Sequence, residues 1–169
     1  MSISLYDVTI PVLIRGLRNL STILEKAEGH AASRKVDPAV FAQLRLFPDM
    51  HPLARQVQIA CDTAKGAAAR LAGIDVPKHE DVEVGLADLR ARIGKTLEFI
   101  GTVTAAQLDG AERRAIEIKF PSATWRFDGL AYVTDFVLPN FFFHESMVYA
   151  LLRKGGVAIG KGDFLGDIQ

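Results

Sequence analysis

The stretch Leu13-Ile-Arg-Gly-Leu17-Arg-Asn-Leu20-Ser-Thr-Ile-Leu24-Glu-Lys-Ala27 carries the clearest helical pattern in the chain. Its apolar residues recur at steps of four, three, four and three, which places them on one face of an α-helix. Pro11 lies inside the pattern, so the helix either starts after Thr9, with Pro11 in its first turn, or begins near Ser4 and kinks. Gly29 is predicted to end it.

Two further stretches show the same helical spacing. One starts near Asp49 or His51 and ends at Gly73, and the other runs from Leu86 to about Gly101. Their apolar stripes consist of Leu53, Val57, Cys61, Ala64, Ala68 and Leu71 in the first and of Leu86, Leu89, Ile93, Leu97 and Ile100 in the second.

Two shorter helical segments are indicated by their capping residues. Asp37-Pro38 is typical of a helix N-terminus, but Phe47-Pro48 keeps that segment short. Thr104 and Gln107 have the spacing of a capping box, which predicts one more helical turn there.

The apolar pattern then changes its period. It alternates over Ala115–Phe120 and again over Thr124–Phe127, which predicts a β-hairpin. Leu138-Pro139 opens a last helix that reaches Arg153, and the glycine-rich tail 157–169 is expected to be extended. Four long helices and one hairpin indicate a mainly α chain, a single antiparallel four-helix bundle with a small β-hairpin before the last helix.

The composition excludes several classes of protein. Among 169 residues, 20 Lys and Arg stand against 20 Asp and Glu, so the chain has no broad basic field for nucleic acid. The single cysteine, Cys61, cannot form an internal disulfide, and the apolar runs are too short to span a bilayer. The N-terminus has no basic segment followed by an apolar core. We therefore expect a cytoplasmic protein that binds neither nucleic acid nor membrane.

The glycine-rich end of the chain has the spacing of a phosphate-binding loop, Gly155-Gly-Val-Ala-Ile-Gly160-Lys161-Gly162. The position after the lysine should carry a hydroxyl for Mg²⁺, and Gly162 has no side chain. Such a loop also joins a strand to a helix, whereas this one follows a helix and no helix is expected after it. A nucleotide site is therefore not predicted, and a helix end followed by a tail is favoured.

His144 is the most informative of the four histidines. It shares an apolar stripe of the last helix with Phe141 and Leu151, so its ring should point into the bundle. A buried imidazole needs a hydrogen-bond partner, and Asn140 lies one turn away. Two interpretations remain open: a core histidine satisfied by hydrogen bonds, or a metal ion held by His144, His51 and carboxylates.

An aromatic cluster surrounds the last helix, and it is too dense for one helix to bury. Phe141–Phe143 are consecutive and therefore cover more than one helix face, so Phe142 or Phe143 should meet either the hairpin and tail or a second subunit. A homodimer is the partner hypothesis that follows. The cluster consists of Trp125, Phe127, Phe136, Phe141, Phe142 and Phe143.

The run Asn140-Phe-Phe-Phe-His144-Glu-Ser-Met-Val-Tyr-Ala-Leu-Leu-Arg153-Lys-Gly-Gly156 resembles the fourth helix of the DinB/YfiT-like superfamily, in which HxxxH precedes an arginine and a glycine stop. Other segments look like those of a bacterial family within that superfamily, catalogued only as a domain of unknown function. The resemblance covers nearly the whole chain and implies the DinB-like four-helix fold. These segments are Leu5–Val8, Asn19–Ser21, Leu24–Ala27, Pro48–Met50, Gln56-Val57, Pro139–His144 and Ile159–Lys161.

The resemblance also implies a kind of chemistry. Members of the superfamily are usually described as metalloenzymes, in which one histidine of the second helix and the HxxxH pair of the fourth hold zinc, nickel or a similar ion. Some are thiol-dependent S-transferases or isomerases. Carried over by position, the second histidine of the pair is His144, and Asn140 replaces the first. The ligand from the second helix falls near Ile59 to Asp62, where only Asp62 could coordinate a metal.

Two hypotheses about function follow. The first is a small-molecule-binding or structural bundle that has lost the usual three-histidine metal site, with a pocket at His144, Asn140 and Tyr149. The alternative is a metal-dependent enzyme of the DinB/YfiT type, an S-transferase or isomerase that uses zinc or nickel. In that case His144 is one ligand, and His51 or Asp62 supplies another.

Overall fold

The computed structural model describes residues 3–120 and 122–167. In chain order its elements are α1 (Ile10–Arg34), α2 (Pro38–Ala42), α3 (Leu53–Ala72), α4 (Leu86–Ile100), β1 (Ile116–Lys119), β2 (Thr124–Phe127), α5 (Gly129–Ala131), α6 (Leu138–Lys154) and α7 (Lys161–Leu165). Two 3₁₀ turns, Ala105–Leu108 and Ala111–Arg113, lie between α4 and β1.

The four long helices form the predicted bundle. α1 packs against α4 and α6, and α3 packs against the same two helices, so the four surround a common core. The apolar stripe that identified α1 is fully buried in that core, as are the small residues of α3 that allow the helices to approach closely. Those small residues are Ala60, Ala64, Ala67 and Ala68.

α1 begins where one of the two expected alternatives put it and ends later than expected. It starts after Thr9 with Pro11 in its first turn, where the missing N–H of proline costs no helical hydrogen bond. The prediction that Gly29 ends the helix is wrong, since α1 continues to Arg34 and ends at Lys35 in the left-handed conformation. Ala31 continues the buried stripe, and its packing outweighs the weak helix propensity of one exposed glycine.

The predicted helix caps between α1 and β1 are confirmed. The Asp37 carboxylate accepts a hydrogen bond from the Ala39 N–H at 2.9 Å and so opens α2. Gly73 ends α3 with a φ of +71°, which glycine adopts without strain. The Thr104 N–H donates to Gln107 Oε1 at 2.8 Å and opens the first 3₁₀ turn.

The β-hairpin is also confirmed. β1 and β2 pair antiparallel, with Ile116 opposite Phe127 and Ile118 opposite Trp125. Ile116 and Ile118 are buried, while the residues that alternate with them are exposed. The hairpin therefore lays one apolar face on the bundle.

The chain turns helical again nine residues before the predicted start of the last helix. α5 begins at Gly129, where a Cβ atom would lie 1.8 Å from the Ala111 carbonyl oxygen, so only glycine fits there. A π-helical segment, Tyr132–Val137, then leads into α6, which opens at Leu138 and Pro139 as predicted. A proline lacks the N–H for an ordinary helical hydrogen bond, which is consistent with the wider turn just before it.

The tail after α6 is not extended, and that prediction is wrong for its described part, whereas residues 168–169 lie outside the described residues. α7 forms there because the Asp163 carboxylate accepts a hydrogen bond from the Gly160 N–H at 2.7 Å. α7 packs on α1 of the same chain, where Asn19 Nδ2 donates to the Phe164 carbonyl at 3.0 Å and Lys26 pairs with Asp163. The expectation that no helix follows the glycine-rich loop is therefore also wrong.

No helix in the described part of the chain is both long enough and apolar enough to cross a membrane.

Candidate functional site

A row of three side-chain hydrogen bonds joins the antiparallel helices α3 and α6 and the π-helical segment before α6. The three α3 residues are spaced by seven, so they lie on nearly one line along the helix. We call this row the α3/α6 seam. Its pairs are Gln56 with His144, Thr63 with Asn140, and Arg70 with Tyr132.

His144 occupies one end of the seam. Only 8% of the residue is exposed, which confirms that its ring points into the bundle. The prediction that Asn140 is the hydrogen-bond partner of His144 is wrong, since Nδ1 of His144 lies 2.6 Å from Gln56 Oε1. Gln56 Nε2 donates to the His51 carbonyl at 3.1 Å, which turns the amide oxygen towards His144. Nδ1 therefore carries the proton and donates, and Nε2 keeps its lone pair.

The charge state of His144 follows from its surroundings. Burial, followed by the electrostatic effects of the neighbouring His51 and Arg55, lowers the pKa of His144 to about 4. The imidazole is therefore neutral at pH 7. A neutral ring with Nδ1 engaged presents Nε2 as a hydrogen-bond acceptor.

Asn140 forms the middle of the seam. Its Nδ2 donates to Thr63 Oγ1 at 2.7 Å, and that hydroxyl donates in turn to the Ile59 carbonyl at 2.8 Å. The chain of hydrogen bonds fixes the direction of the Asn140 amide. Its nitrogen faces α3, which leaves its oxygen as an acceptor for another group.

Arg70 and Tyr132 form the other end of the seam. Arg70 Nη1 donates to the Tyr132 hydroxyl at 3.0 Å, and burial raises the pKa of Tyr132, so the phenol stays neutral. The guanidinium folds back over Gly66, where a Cβ atom would lie 2.4 Å from Nη1. Gly66 therefore makes the room in which Arg70 reaches Tyr132.

A cavity of about 430 Å³ lies beside the seam, and it is lined by seam residues together with residues of the hairpin. Another cavity, of about 560 Å³, lies against α4 and does not include seam residues. The hairpin and the π-helical segment give the cavity beside the seam aromatic walls, with ring centroids 4.9 Å apart for Phe120 and Trp125 and 5.8 Å apart for Trp125 and Phe136. We call it the seam cavity. Its polar lining residues are Arg55, Asp62, Thr63, Arg70 and Asn140, and its aromatic ones are Phe120, Trp125, Tyr132 and Phe136.

Two of the three charged residues at the seam cavity already have partners of opposite charge. Asp62 accepts from Arg92 at 2.9 Å and from Lys65 at 2.8 Å. Arg55 pairs with Asp81 at 2.6 Å. In the described part of the chain, Arg70 has only the neutral Tyr132 hydroxyl and no carboxylate.

The residues present do not fit the metal ion that the resemblance implies. In the described part of the chain, no three His, Cys, Asp or Glu side chains lie close enough to share a metal. His51 is exposed near His144, but Asp62 is held by Arg92 and Lys65. Asn140, which stands where the first histidine of the pair is expected, offers only an amide oxygen, a ligand better suited to Mg²⁺ or Ca²⁺ than to zinc or nickel. The three proposed ligands are therefore not grouped, and we derive no step through a metal.

The structure brings together two of the three residues of the expected pocket. His144 and Asn140 are one turn apart in the seam, and Asn140 lines the seam cavity. Tyr149 lies on another face of α6, where its ring centroid is 6.1 Å from that of Phe164 of α7. Five residues along a helix correspond to a rotation of about 140°, which turns Tyr149 away from His144.

Several residues of the site were missed from the sequence. Gln56, Thr63 and Arg70 are polar residues at a seven-residue spacing beside the apolar stripe of α3, and this spacing could have identified the seam. Trp125 was noted only as part of the aromatic cluster. No local pattern indicates that the hairpin folds beside α3, because that contact joins distant parts of the chain.

Comparison with known proteins gave matches to a family model and to solved structures. Residues 5–165 match the family model described as a domain of unknown function, DUF1993. The crystal structure of a DinB family member protein from Shewanella denitrificans superposes with a TM-score of 0.89 at 40% sequence identity, covering 97% of this chain and 93% of that one. A search of curated proteins found no match.

Proposed function

From the premise that the chain belongs to the family described as a domain of unknown function, DUF1993, we propose that it binds a small organic molecule in the seam cavity without a metal ion. The family and the DinB-like fold that the sequence predicted are both confirmed. The name of the family states no activity, so the proposal rests on the cavity itself.

The observation that carries the proposal is the lining of the seam cavity. Its volume of about 430 Å³ is in the usual range for small-molecule sites, and it combines aromatic walls with a few convergent polar groups. Trp125, the single tryptophan of the chain, lines this cavity and is 46% exposed, so part of its large apolar ring faces water. A ligand that covers the ring removes apolar surface from water, which favours binding.

The seam also supports a binding site that does not depend on a metal ion. His144, Asn140 and their α3 partners satisfy one another by hydrogen bonds, so this part of the α3/α6 interface needs no ion to neutralise or orient it. Oδ1 of Asn140, which lines the seam cavity, remains as an acceptor for a hydrogen-bond donor on a ligand.

A thermal-shift screen of small organic molecules tests the proposal. Ile59 lines the cavity, so Ile59→Trp should fill it and abolish the stabilisation that any binding compound produces. Ser146→Trp is the control, because Ser146 lies in the separate pocket beside Tyr149. A set of compounds whose stabilisation survives Ile59→Trp and disappears in Ser146→Trp would contradict the proposal and favour the Tyr149 pocket.

The second candidate function is the metal-dependent enzyme with His144 as a ligand. One observation favours it: Nε2 of His144 is unprotonated and could bind an ion. Elemental analysis of protein purified without a histidine tag separates the two candidates. A stoichiometric transition metal that is lost in His144→Ala supports the enzyme, whereas metal-free protein whose melting temperature ignores added Zn²⁺ and Ni²⁺ supports metal-free binding.

A further inference from the structure

Arg70 differs from the other charged residues at the seam cavity. Asp62 and Arg55 are each neutralised by ion pairs at the cavity rim. Among the residues that the structure describes, the guanidinium of Arg70 meets only a neutral hydroxyl, and it lines the cavity. The cavity therefore carries one positive charge that no side chain balances.

The position of Arg70 is held before any ligand arrives. Its guanidinium lies in the space left by the missing side chain of Gly66 and donates to Tyr132, which is itself buried. A long side chain usually loses much rotamer entropy when it binds a partner, and a held guanidinium has already lost part of it. One N–H group is used by Tyr132, which leaves others of the planar fork for a second acceptor.

Aromatic side chains stand beside this charge. The rings of Trp125 and Phe136 are in edge contact at 5.8 Å, and Phe136 stacks on Tyr132 at 5.9 Å. These rings therefore form one continuous aromatic surface between the exposed indole of Trp125 and the Tyr132 hydroxyl that binds Arg70. A ligand that fits this wall has an acidic group at one end and an apolar body at the other.

Building on the proposed function, we propose that the ligand of the seam cavity is a small organic acid, whose carboxylate pairs with Arg70 and whose apolar or aromatic part covers Trp125. The planar guanidinium matches the two oxygens of a carboxylate. Asn140 Oδ1 accepts a hydrogen bond from a hydroxyl or amine on the same ligand.

Three probes that differ only in their polar end test this assignment. Phenylbutyrate, phenylbutanol and phenylbutylamine share one apolar body and carry a carboxylate, a hydroxyl and an ammonium group. Binding is followed by the emission of Trp125, which reports on this cavity alone because the chain has one tryptophan. We expect the acid to bind about tenfold more tightly than the alcohol, and the amine to bind more weakly than the alcohol.

Variants assign the preference to Arg70. Arg70→Met should remove the advantage of the acid and leave the affinity for the alcohol unchanged. Tyr132→Phe keeps the buried ring but removes the hydroxyl that holds the guanidinium of Arg70, so it should weaken acid binding by a smaller factor than Arg70→Met does. This variant replaces Arg70→Met in the test if Arg70→Met does not fold. Arg126→Gln removes an exposed charge next to Trp125 that pairs with Glu117, and it should leave all three affinities unchanged.

The outcomes separate this assignment from the proposed function. Equal affinity for acid and alcohol in the unaltered protein overturns the acid assignment and leaves small-molecule binding standing. An acid preference that persists in Arg70→Met, or that disappears equally in Arg126→Gln, also overturns it. If none of the three probes changes the emission of Trp125, the acid assignment fails, and the thermal-shift screen decides the proposed function separately.

Discussion

Nδ1 of His144 lies 2.6 Å from Oε1 of Gln56, across the α3/α6 interface and 88 positions away in the chain. This contact decides the tautomer of the histidine, because the second bond of Gln56, to the His51 carbonyl, turns the amide oxygen towards the ring. A residue that resembles a metal ligand by its position in the sequence is therefore part of a hydrogen-bonded seam.

Gln56→Leu should destabilise the protein by about 1–3 kcal/mol, because it leaves a buried N–H of His144 without a partner. Urea denaturation measures the change. In Gln56→Leu/His144→Leu, the second substitution should cost less than it does alone, since the polar partner has already been removed. Additive effects of the two substitutions would show that the bond does not couple them.

The stability of the protein should depend on His144 at acidic pH. The pKa of its imidazole is about 4 in the folded state, lowered from 6.5 by burial and then by the charges of His51 and Arg55. The unfolded chain therefore binds a proton that the folded one does not, and stability falls as the pH drops from about 6.5 to about 4, by up to about 3 kcal/mol. Denaturation of His144→Gln across this range should show a smaller loss.

Glu145 should produce the opposite dependence at higher pH. It is 1% exposed, and in the described structure neither of its carboxylate oxygens has a hydrogen-bond partner. Burial raises the pKa of Glu145 from 4.5 to about 8, against a smaller opposing effect of Arg15. The folded state then keeps a proton that the unfolded chain releases, so stability falls as the pH rises from 4.5 towards 8.

The effects of His144 and Glu145 oppose each other between about pH 4.5 and 6.5, and from there to about pH 8 only that of Glu145 remains, worth about 2 kcal/mol. Glu145→Gln should therefore flatten the stability profile above pH 6.5 and be more stable than the parent at pH 8. Urea denaturation at several pH values measures this. Glu98→Gln, which changes an exposed glutamate, is the control, and an equal flattening in both variants would contradict the assignment.

Two glycines of α1 should respond oppositely to alanine. A Cβ atom at Gly16 would lie 2.5 Å from Cε1 of Phe141 and 3.2 Å from Oε2 of Glu145, whereas one at Gly29 meets nothing within 4 Å. Gly16→Ala should cost about 1–3 kcal/mol through overpacking, and Gly29→Ala should gain about 0.5–1 kcal/mol of helix stability. Thermal denaturation compares them, and a stabilised Gly16→Ala would disprove the close packing of α1 on α6.

The homodimer that the phenylalanine cluster suggests can be tested at Phe143. Phe143 is 54% exposed, whereas Phe142 packs against the core from a partly buried position. If a second copy covers Phe143, analytical ultracentrifugation should give a dimer, and Phe143→Ser should shift it to monomer. Phe47→Ser is the matched control, because Phe47 lies outside α6 and its residue is 63% exposed. A clean monomer of the unaltered protein at micromolar concentration rules the dimer out.

The helices that could be predicted are those whose pattern is local. The stripe from Leu13 to Ala27, the cap at Asp37 and the alternation around Ile116 each specify an element within a few residues. The errors concern helix ends and short segments, where packing outweighs propensity. α1 passes Gly29 because Ala31 is buried, and α7 forms where its end can bind Asn19 and Lys26.

The sequence by itself therefore determined the mainly helical bundle, the hairpin before α6 and the inward direction of His144, since helical and strand periods depend only on neighbouring residues. Only the tertiary structure decided that His144 binds Gln56, that Thr63 meets Asn140 and that Arg70 reaches Tyr132 over Gly66. Each of these contacts joins residues more than sixty positions apart, and the facing of two helices is set by how all the buried side chains pack together. A local sequence pattern therefore does not predict which side chains meet across two helices.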